Sequence, residues 1–298
     1  MRRTPLVFFV LAAALVAGPA RAACVTDDTG TRVCLDAPPR RAVSLYGAFT
    51  ETLAALGAAD TLVARTKNDD SVPAVAKLPQ VGTGLRPNVE YLLALRPELV
   101  VARGGKAGRE ALDALRARGV KVAAFDPGGL TDLYATIERL GVLWGKEAEA
   151  RALAEKLRGD VARVEKRAQA GVGGRRLRVV YEVRAEPLTV AGSGGLVDDL
   201  IAAAGGENAV KNPKKILSFD PEALLRLDPD VYVIQTGPMN PNPAPPGDRA
   251  TLRPLRAVKQ GRVLNVDEDL FARPGPHVAE AAETLSRFLY PELWVGKK

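Results

Sequence analysis

The sequence predicts an α/β fold built on mainly parallel sheet, and three observations carry that prediction. Apolar strand-like runs alternate with amphipathic helical stretches along the chain. The connections are short, and the helical stretches stop at glycine or proline. One long charged stretch, Lys146 to Ala170, interrupts the alternation, and the same pattern then starts again.

The first residues lie outside that fold. Arg2 and Arg3 precede an apolar run from Leu6 to Val16 that is too short to span a membrane comfortably. Ala20-Arg21-Ala22 then places small residues before a signal-peptidase cut. Residues 1–22 are expected to be a cleaved leader that sends the protein to the periplasm. Acylation of Cys24 is the weaker reading, because Arg21 stands where a lipoprotein signal carries an aliphatic residue. No later stretch approaches the roughly 20 apolar residues of a membrane helix.

Two cysteines fit an oxidising compartment. Cys24 and Cys34 flank the turn-rich Asp27-Asp28-Thr29-Gly30, and a hairpin centred on Thr29 sets them opposite each other. A cross-strand Cα separation of about 5.5 Å suits a disulfide. A bonded Cys24 also has no free thiol for a lipid.

Ala42 to Leu45 reads as a buried strand, followed by a helix from Thr50 to Leu56 that stops at Gly57. Thr61 to Ala64 and Leu99 to Ala102 are strands, with a helix around Leu92 to Leu95 ending before Pro97. A helix from Ala107 to Arg118, a strand from Val120 to Phe125 and a helix from Leu130 to Leu143 complete the first half. Lys146 to Ala170 has a strongly helical composition, with Glu147 and Glu149 at its start. Ala150, Leu153, Leu157, Val161, Val164 and Ala168 make one apolar stripe along it. Such a helix reaches roughly 37 Å. Periodicity alone leaves it open as a spine between lobes or a long surface helix of one domain.

Beyond it, Arg178 to Val183, Val231 to Gln235 and Val263 to Val266 are expected strands. Gly195 to Ala204, Pro221 to Leu227 and Val278 to Leu289 are expected helices. Gly237 to Gly247, rich in proline, reads as a stiff exposed loop. NVEYLLALRPELVV from Asn88 and DPEALLRLDPDVYVI from Asp220 share one grammar of helix, proline-acid step and strand. Two instances in corresponding halves point to a duplicated lobe.

The net charge is +7, and loss of Arg2, Arg3 and Arg21 with the leader lowers it by three, to +4. Without basic runs or interleaved aromatics, that charge argues against nucleic acid. A single histidine, His277, excludes metal sites of clustered imidazoles. It also leaves no Ser/His/Asp arrangement to argue. A secreted hydrolase working through paired carboxylates is the rival from another class. Gly192-Ser193-Gly194-Gly195 lacks dinucleotide spacing and a P-loop lysine, so it reads as a tight turn, and Asp198-Asp199 as a helix surface pair.

An ordered set of stretches carries a family resemblance over nearly the whole mature chain. They are VTDDTGTRVCLDAPPRRAVSL, FTETLAALGAADTLVART, VGTGLRPNVEYLLALRPELVVA, GSGGLVDDLIAAAGGENAV, SFDPEALLRLDPDVYVI and RPGPHVAEAAETLSRFLYPE. The chain resembles the periplasmic substrate-binding proteins of ABC importers for ferric siderophores, haem and cobalamin. The resemblance implies two α/β lobes, at 23–143 and 173–298, joined by a single long helix at 144–172. It implies a monomeric binder rather than an enzyme, with no cofactor of its own, that serves an ABC permease and its ATPase. The ligand is a metal chelate held between the lobes. Ferric siderophore leads, then cobalamin or another corrinoid, then haem.

Two site sets follow from the resemblance. Glu51 and Glu222 occupy the positions where the family places permease-docking glutamates, and both read as first-turn, solvent-exposed residues of helices. In an open α/β sheet the ligand lies beyond the carboxyl ends of the strands. That nominates Tyr46, Arg65, Arg86, Arg103, Tyr181, Arg184 and Arg273, with Phe271 beside them. Arginine supplies a fork for anionic oxygens, and tyrosine an aromatic face with a hydroxyl. Trp144, read as the start of the long helix, and Trp294 near the C-terminus are poorly placed to stack on a ligand. His277 follows Pro276 at a helix start and reads as a cap-region residue rather than an iron ligand.

Overall fold

The computed structural model describes residues 22–295, so the leader expected at 1–22 lies almost wholly outside the described residues. The chain opens with a two-stranded hairpin, β1 (Ala23–Thr26) and β2 (Arg32–Leu35). Cys24 and Cys34 are register partners there and are disulfide-bonded, with Cα atoms 4.1 Å apart. The Asp27 carboxylate holds the turn by accepting from the Thr29 and Thr31 N–H groups.

The first lobe then runs β3 (Ala42–Ser44), α1 (Gly47–Ala55), β4 (Leu62–Ala64), α2 (Val89–Ala94) and β5 (Leu99–Arg103). It ends with α3 (Arg109–Ala117), β6 (Lys121–Phe125) and α4 (Leu130–Trp144). Its sheet has the order β4-β3-β5-β6, and every pairing is parallel. The helix α5 (Glu147–Gly171) follows. The second lobe starts with β7 (Arg178–Arg184), β8 (Thr189–Ala191), α6 (Leu196–Ala203), β9 (Glu207–Asn208) and β10 (Ile216–Ser218). It continues through α7 (Pro221–Leu227), β11 (Val231–Thr236), α8 (Arg256–Lys259), β12 (Val263–Asp267), α9 (Glu268–Phe271) and α10 (Val278–Leu289).

The second sheet is mixed. β9, β7, β11 and β12 pair in parallel, while β8 and β10 add an antiparallel edge. The short link from β7 to β8 explains the reversal, since a parallel return needs a dozen residues or more. These three short strands, β8, β9 and β10, carry too little apolar alternation to stand out in the sequence.

The two lobes repeat one local device in atomic detail. In the first, Asn88 caps α2 and Arg96, at φ 47°, precedes Pro97. Glu98 then accepts from the Arg40 and Arg41 N–H groups, and the Arg41 guanidinium donates to the Leu95 carbonyl at the end of α2. In the second, Asp220 caps α7 and Asp228, at φ 39°, precedes Pro229. Asp230 accepts from the Arg178 N–H, and Arg178 donates to the Leu227 carbonyl. A left-handed residue other than glycine costs energy, so its recurrence beside the same partners argues for duplication of the lobe.

The helix α5 resolves the open alternative, because it packs on both lobes. Near its start Ala150 meets α4, where Gly141 leaves no room for a side chain; near its end Ala168 meets Gly205 of the second lobe. Its buried residues are Ala150, Ala154, Leu157, Val161, Val164 and Ala168, so Ala154 takes a place expected for Leu153, which is only partly buried. One hydrophobic cluster runs without a break from Leu133 and Ile137 of α4, through α5, to Leu200 and Leu285 of the second lobe. Burying each Leu or Val contributes about 1.5–3 kcal/mol, so this seam resists bending. Trp144 corrects the expectation: it ends α4, before the left-handed Gly145, and its indole N–H donates to Thr61 at 2.9 Å. Among the described residues no helix is long and apolar enough to cross a membrane.

Candidate functional site

The carboxyl ends of both sheets face one another across a cavity of about 550 Å³. Tyr46 follows β3, Arg103 ends β5, Gln235 lies in β11 and Glu268 follows β12, so strand ends place the polar groups, as the rule for open sheets requires. Leu85 from the first lobe and Ile216 from the second line the cavity, and both are among the exposed large apolar side chains of the chain. Val183, Leu196 and Met239 extend the apolar wall, and Arg86, Arg103, Lys215 and Arg273 bring positive charge to it. The glycines of Gly192-Ser193-Gly194-Gly195 let the 212–215 backbone approach closely: a Cβ on Gly194 would lie 2.0 Å from the Pro213 carbonyl. The stretch is the tight cleft-side turn expected, and it carries Lys215 and Ile216 to the wall.

Tyr46 lies on the first-lobe side of the cavity, edge-on to Phe49 at 5.0 Å, with the Arg103 guanidinium 5.5 Å above its ring. Burial pushes its hydroxyl pKa up, against the pull of Arg103 and Arg273, so the phenol stays protonated. Arg103 Nε donates to Asp126 at 3.0 Å. Burial alone raises the Asp126 pKa, but the hydrogen bonds and charges of Arg103 and Lys215 outweigh it and hold the carboxylate below its ordinary value.

The lobes are clasped at opposite flanks of the cavity. On one flank Lys215 Nζ reaches Asp126 Oδ2 at 3.2 Å, and Asp199 accepts from the Leu130 N–H of α4 at 2.8 Å. Asp199 is therefore an interlobe cap for α4, not the helix surface residue expected. On the other flank Arg273 donates to Glu51 at 3.4 Å and to the Asn68 carbonyl at 3.1 Å, both in the first lobe.

Of the nominated ligand residues, Tyr46, Arg86, Arg103 and Arg273 line the cavity together. Arg65 does not: it is turned onto Asp70 and the Thr66 carbonyl. Tyr181 is fully buried behind the wall, stacked on Phe271 at 6.3 Å, and donates to Gln235 at 3.1 Å. Burial raises its pKa well above the ordinary value, and Phe271 is buried with it. Arg184 faces a separate hollow of about 750 Å³ beside the proline-rich loop, where its Nε donates to the Met239 carbonyl. Tyr181 shares a face of β7 with Val183, which lines the cavity, but lies two residues deeper; Arg184, one residue beyond Val183, points the other way, and Arg65 is held by Asp70. The proline-rich loop also differs from expectation. Met239 enters the cavity wall, and Asn240 is buried between Gln235, Glu182 and Ala185.

Glu222 sits in the first turn of α7 and is exposed, as expected. Glu51 does not match. The helix begins at Gly47, three residues earlier than read, so Glu51 lies past the first turn, with a side chain 13% exposed and paired to Arg273. Gly47 and Ala48 are buried against Arg273 and Gly275 of the second lobe, and Phe49 in the core of the first, which draws the helix start into what reads as a loop. Lys215, Gln235, Glu268, Leu85 and Ile216 were not nominated. Gln235 ends a strand read from the sequence and so carried the strand-end signal; the other four carried none. Glu268 accepts from the Met239 N–H at 2.8 Å, and burial raises its pKa. Gln235 is wholly buried, and its side-chain amide lies beside the Glu268 carboxyl, whose pKa it pulls down against the effect of burial. His277 is exposed at the start of α10, with Nδ1 3.6 Å from Glu280. Among the described residues no three His, Cys, Asp or Glu side chains cluster to hold a metal ion.

Two α/β lobes around a cleft are the arrangement of a known family. A family described as "Periplasmic binding protein" matches residues 43–270. The chain is similar to the ABC transporter substrate-binding lipoprotein YvrC of Bacillus subtilis, 28% identical over 272 residues, covering 90% of this chain and 85% of YvrC. It is 28% identical over 257 residues to the vitamin B12-binding protein of Photorhabdus laumondii, covering 86% and 90% of the two chains. Among solved structures, a periplasmic haem-binding protein from Pseudomonas aeruginosa superposes with a TM-score of 0.75 at 28% identity, covering 85% of this chain and 93% of that one. The chain belongs to the periplasmic binding protein family, the solute-binding components of ABC transporters.

Proposed function

We propose that this protein captures a preassembled metal chelate in the interlobe cavity and delivers it to an ABC permease, working as a periplasmic monomer without a lipid anchor. One observation carries the ligand class. The apolar wall, with Leu85 and Ile216 on opposite lobes, is edged by Arg86, Arg103, Lys215 and Arg273, while side-chain groups able to bind iron are scarce there. Tyr181 is sealed behind the wall and His277 faces outward beside Glu280, which leaves Tyr46 as the one phenol at the cavity among the described residues. A haem iron needs an axial ligand from the protein, and burial holds the Tyr46 phenol in its protonated form, whereas a ferric siderophore or a corrinoid brings its own ligands. Four cations suit the anionic oxygens of a ferric siderophore, the leading reading.

A corrinoid is the second reading, and Glu268 with Gln235 favours it. A carboxylate and an amide side by side on the wall suit the peripheral amides of a corrin, and the Photorhabdus relative is named for binding vitamin B12. Glu222, exposed at the start of α7, and Glu51 at the lobe edge are the proposed contacts with permease arginines. Catalysis is not part of this reading: Glu51 and Asp269 share one arginine at the cavity edge and do not converge on a substrate position. Equilibrium dialysis against a ferric tris-catecholate, a ferric hydroxamate, cyanocobalamin and haemin tests the proposal. Retention of one of the first three is expected; retention of haemin alone would refute it.

A further inference from the structure

Arg273 occupies an unusual position, because it belongs to one lobe, is held by the other and borders the cavity between them. Its side chain is 9% exposed. Nη1 donates to Glu51 Oε1 at 3.4 Å, Nη2 donates to the Asn68 carbonyl at 3.1 Å, and Nη2 lies 2.5 Å from Asp269 Oδ1. Two glycines make room for this contact, one from each lobe. A Cβ on Gly47 would stand 2.8 Å from Nη1, and one on Gly275 would stand 3.0 Å from Glu51 Oε2. Gly47 and Asn68 line the same cavity as Arg273, so its neighbours in the first lobe are also at the ligand space.

We propose that Arg273 is a positioning residue shared between the cavity and Glu51: an electron-rich group of the ligand draws its guanidinium into the cavity, and Glu51 is released. The inference rests on the reading of the interlobe cavity as the ligand site. Two carboxylates, Glu51 and Asp269, already divide one cation, and the 3.4 Å contact to Glu51 is the longest of the three that hold it. A carboxylate, catecholate or hydroxamate oxygen entering beside Gly47 competes first for that contact, since charge-assisted bonds near 2.8 Å are the stronger ones.

Release of Glu51 has a measurable sign. Burial raises the Glu51 pKa; Arg273 is the foremost charge lowering it, His277 the next, and Asp269 opposes both. Asp269 is likewise raised by burial, with Asp267 and Asp69 adding to the rise, and His277 faces Glu280 as well as Glu51. Withdrawal of Arg273 leaves Glu51 largely buried beside Asp269, so it takes up a proton as the ligand binds. In the transporter, a cationic partner takes the place that Arg273 vacates and displaces that proton, so docking favours the loaded protein.

Calorimetric titration of the mature protein with a ferric tris-catecholate, at about pH 5.5 in two buffers of different ionisation enthalpy, counts protons taken up on binding. Uptake is expected in the wild type and in His277→Asn, and not in Glu51→Gln. Glu51→Gln should also bind up to about fivefold tighter, the worth of one weak ion pair removed from competition. Equal uptake in Glu51→Gln and the wild type, or weaker binding by Glu51→Gln, overturns the coupling. If this chelate is not bound at all, the ferric-siderophore reading fails separately. The coupling is then judged by ¹³C NMR titration of the Glu51 carboxyl. An upward shift of its midpoint in Arg273→Gln or Arg273→Lys supports the coupling, and an unmoved midpoint in both ends it.

Discussion

Glu51 and Arg273 join the two lobes: a carboxylate on α1 accepts, at 3.4 Å, from a guanidinium that follows α9, 222 residues along the chain. The pair stands at one flank of the cavity, and Lys215 with Asp126 stands at the other. The two clasps respond oppositely to pH. Burial raises Glu51, Asp269 and Glu268 above their ordinary values, so their folded forms favour the protonated acid. Their contribution to stability is complete below the unfolded pKa and is lost as pH rises through the raised one. Asp126 is lowered, so its contribution is present above its ordinary value of 3.8 and is lost as pH falls through the depressed one.

Thermal unfolding should therefore hold or rise from about pH 7 to pH 5 and drop only in stronger acid. Glu51→Gln should unfold no lower than the wild type at neutral pH and show a flatter slope across that range. Asp126→Asn should lose the acid limb. A Glu51→Gln protein much less stable than the wild type at neutral pH contradicts the assigned direction.

Glu222 carries the clearest prediction about the partner. Glu222→Ala removes an exposed first-turn carboxylate and leaves the cavity untouched. Uptake by cells carrying the variant should fall severalfold, because exposed charges govern encounter and orientation. The dissociation constant of the ligand should stay within about twofold of the wild type. Loss of ligand affinity would remove Glu222 from the docking surface.

Gly159 lies exposed in the middle of α5, and a Cβ there meets nothing within 4 Å. Gly159→Ala should stabilise the protein by about 0.5–1 kcal/mol in urea unfolding. Ligand affinity should not change. Destabilisation would mean that the helix bends at this glycine.

The Cys24–Cys34 bond spans a sequence separation of 10. Replacing both cysteines with serine should cost about 2.7 kcal/mol, the chain entropy returned to a loop of that size. The hairpin is also tied to the first lobe by two carboxylates: Asp27 Oδ2 accepts from the Ala124 N–H, and Asp28 Oδ2 accepts from the Asp126 N–H. Ligand binding should survive the double replacement, and its loss would tie the hairpin to the cavity.

Much of the fold was legible because periodicity and punctuation coincide. Gly57, Gly119 and Gly145 end helices in left-handed turns, and the repeated Leu-x-Pro-acid step marks both lobes at Arg96 and Asp228. The antiparallel edge of the second sheet was not legible, since β8 and β10 are too short for a pattern. The site was half legible. Of the nominated residues Tyr46, Arg86, Arg103 and Arg273 line the cavity, whereas Tyr181 lies too deep in β7 and Arg184 points to its other face. Lys215 and Ile216 reach the wall only because β10 folds back on β8, a pairing invisible in the chain itself.

The central claim is that one chelate binds between the lobes, and calorimetry on a cavity variant tests it most directly. Leu85→Asp with Ile216→Asp places a carboxylate on each apolar wall without touching either clasp. The account predicts one ligand per chain for the wild type, from the ferric siderophores or cyanocobalamin, and about a hundredfold loss or more in the double variant. Unchanged affinity in the double variant, or no binding of any of these chelates by the wild type, would contradict it.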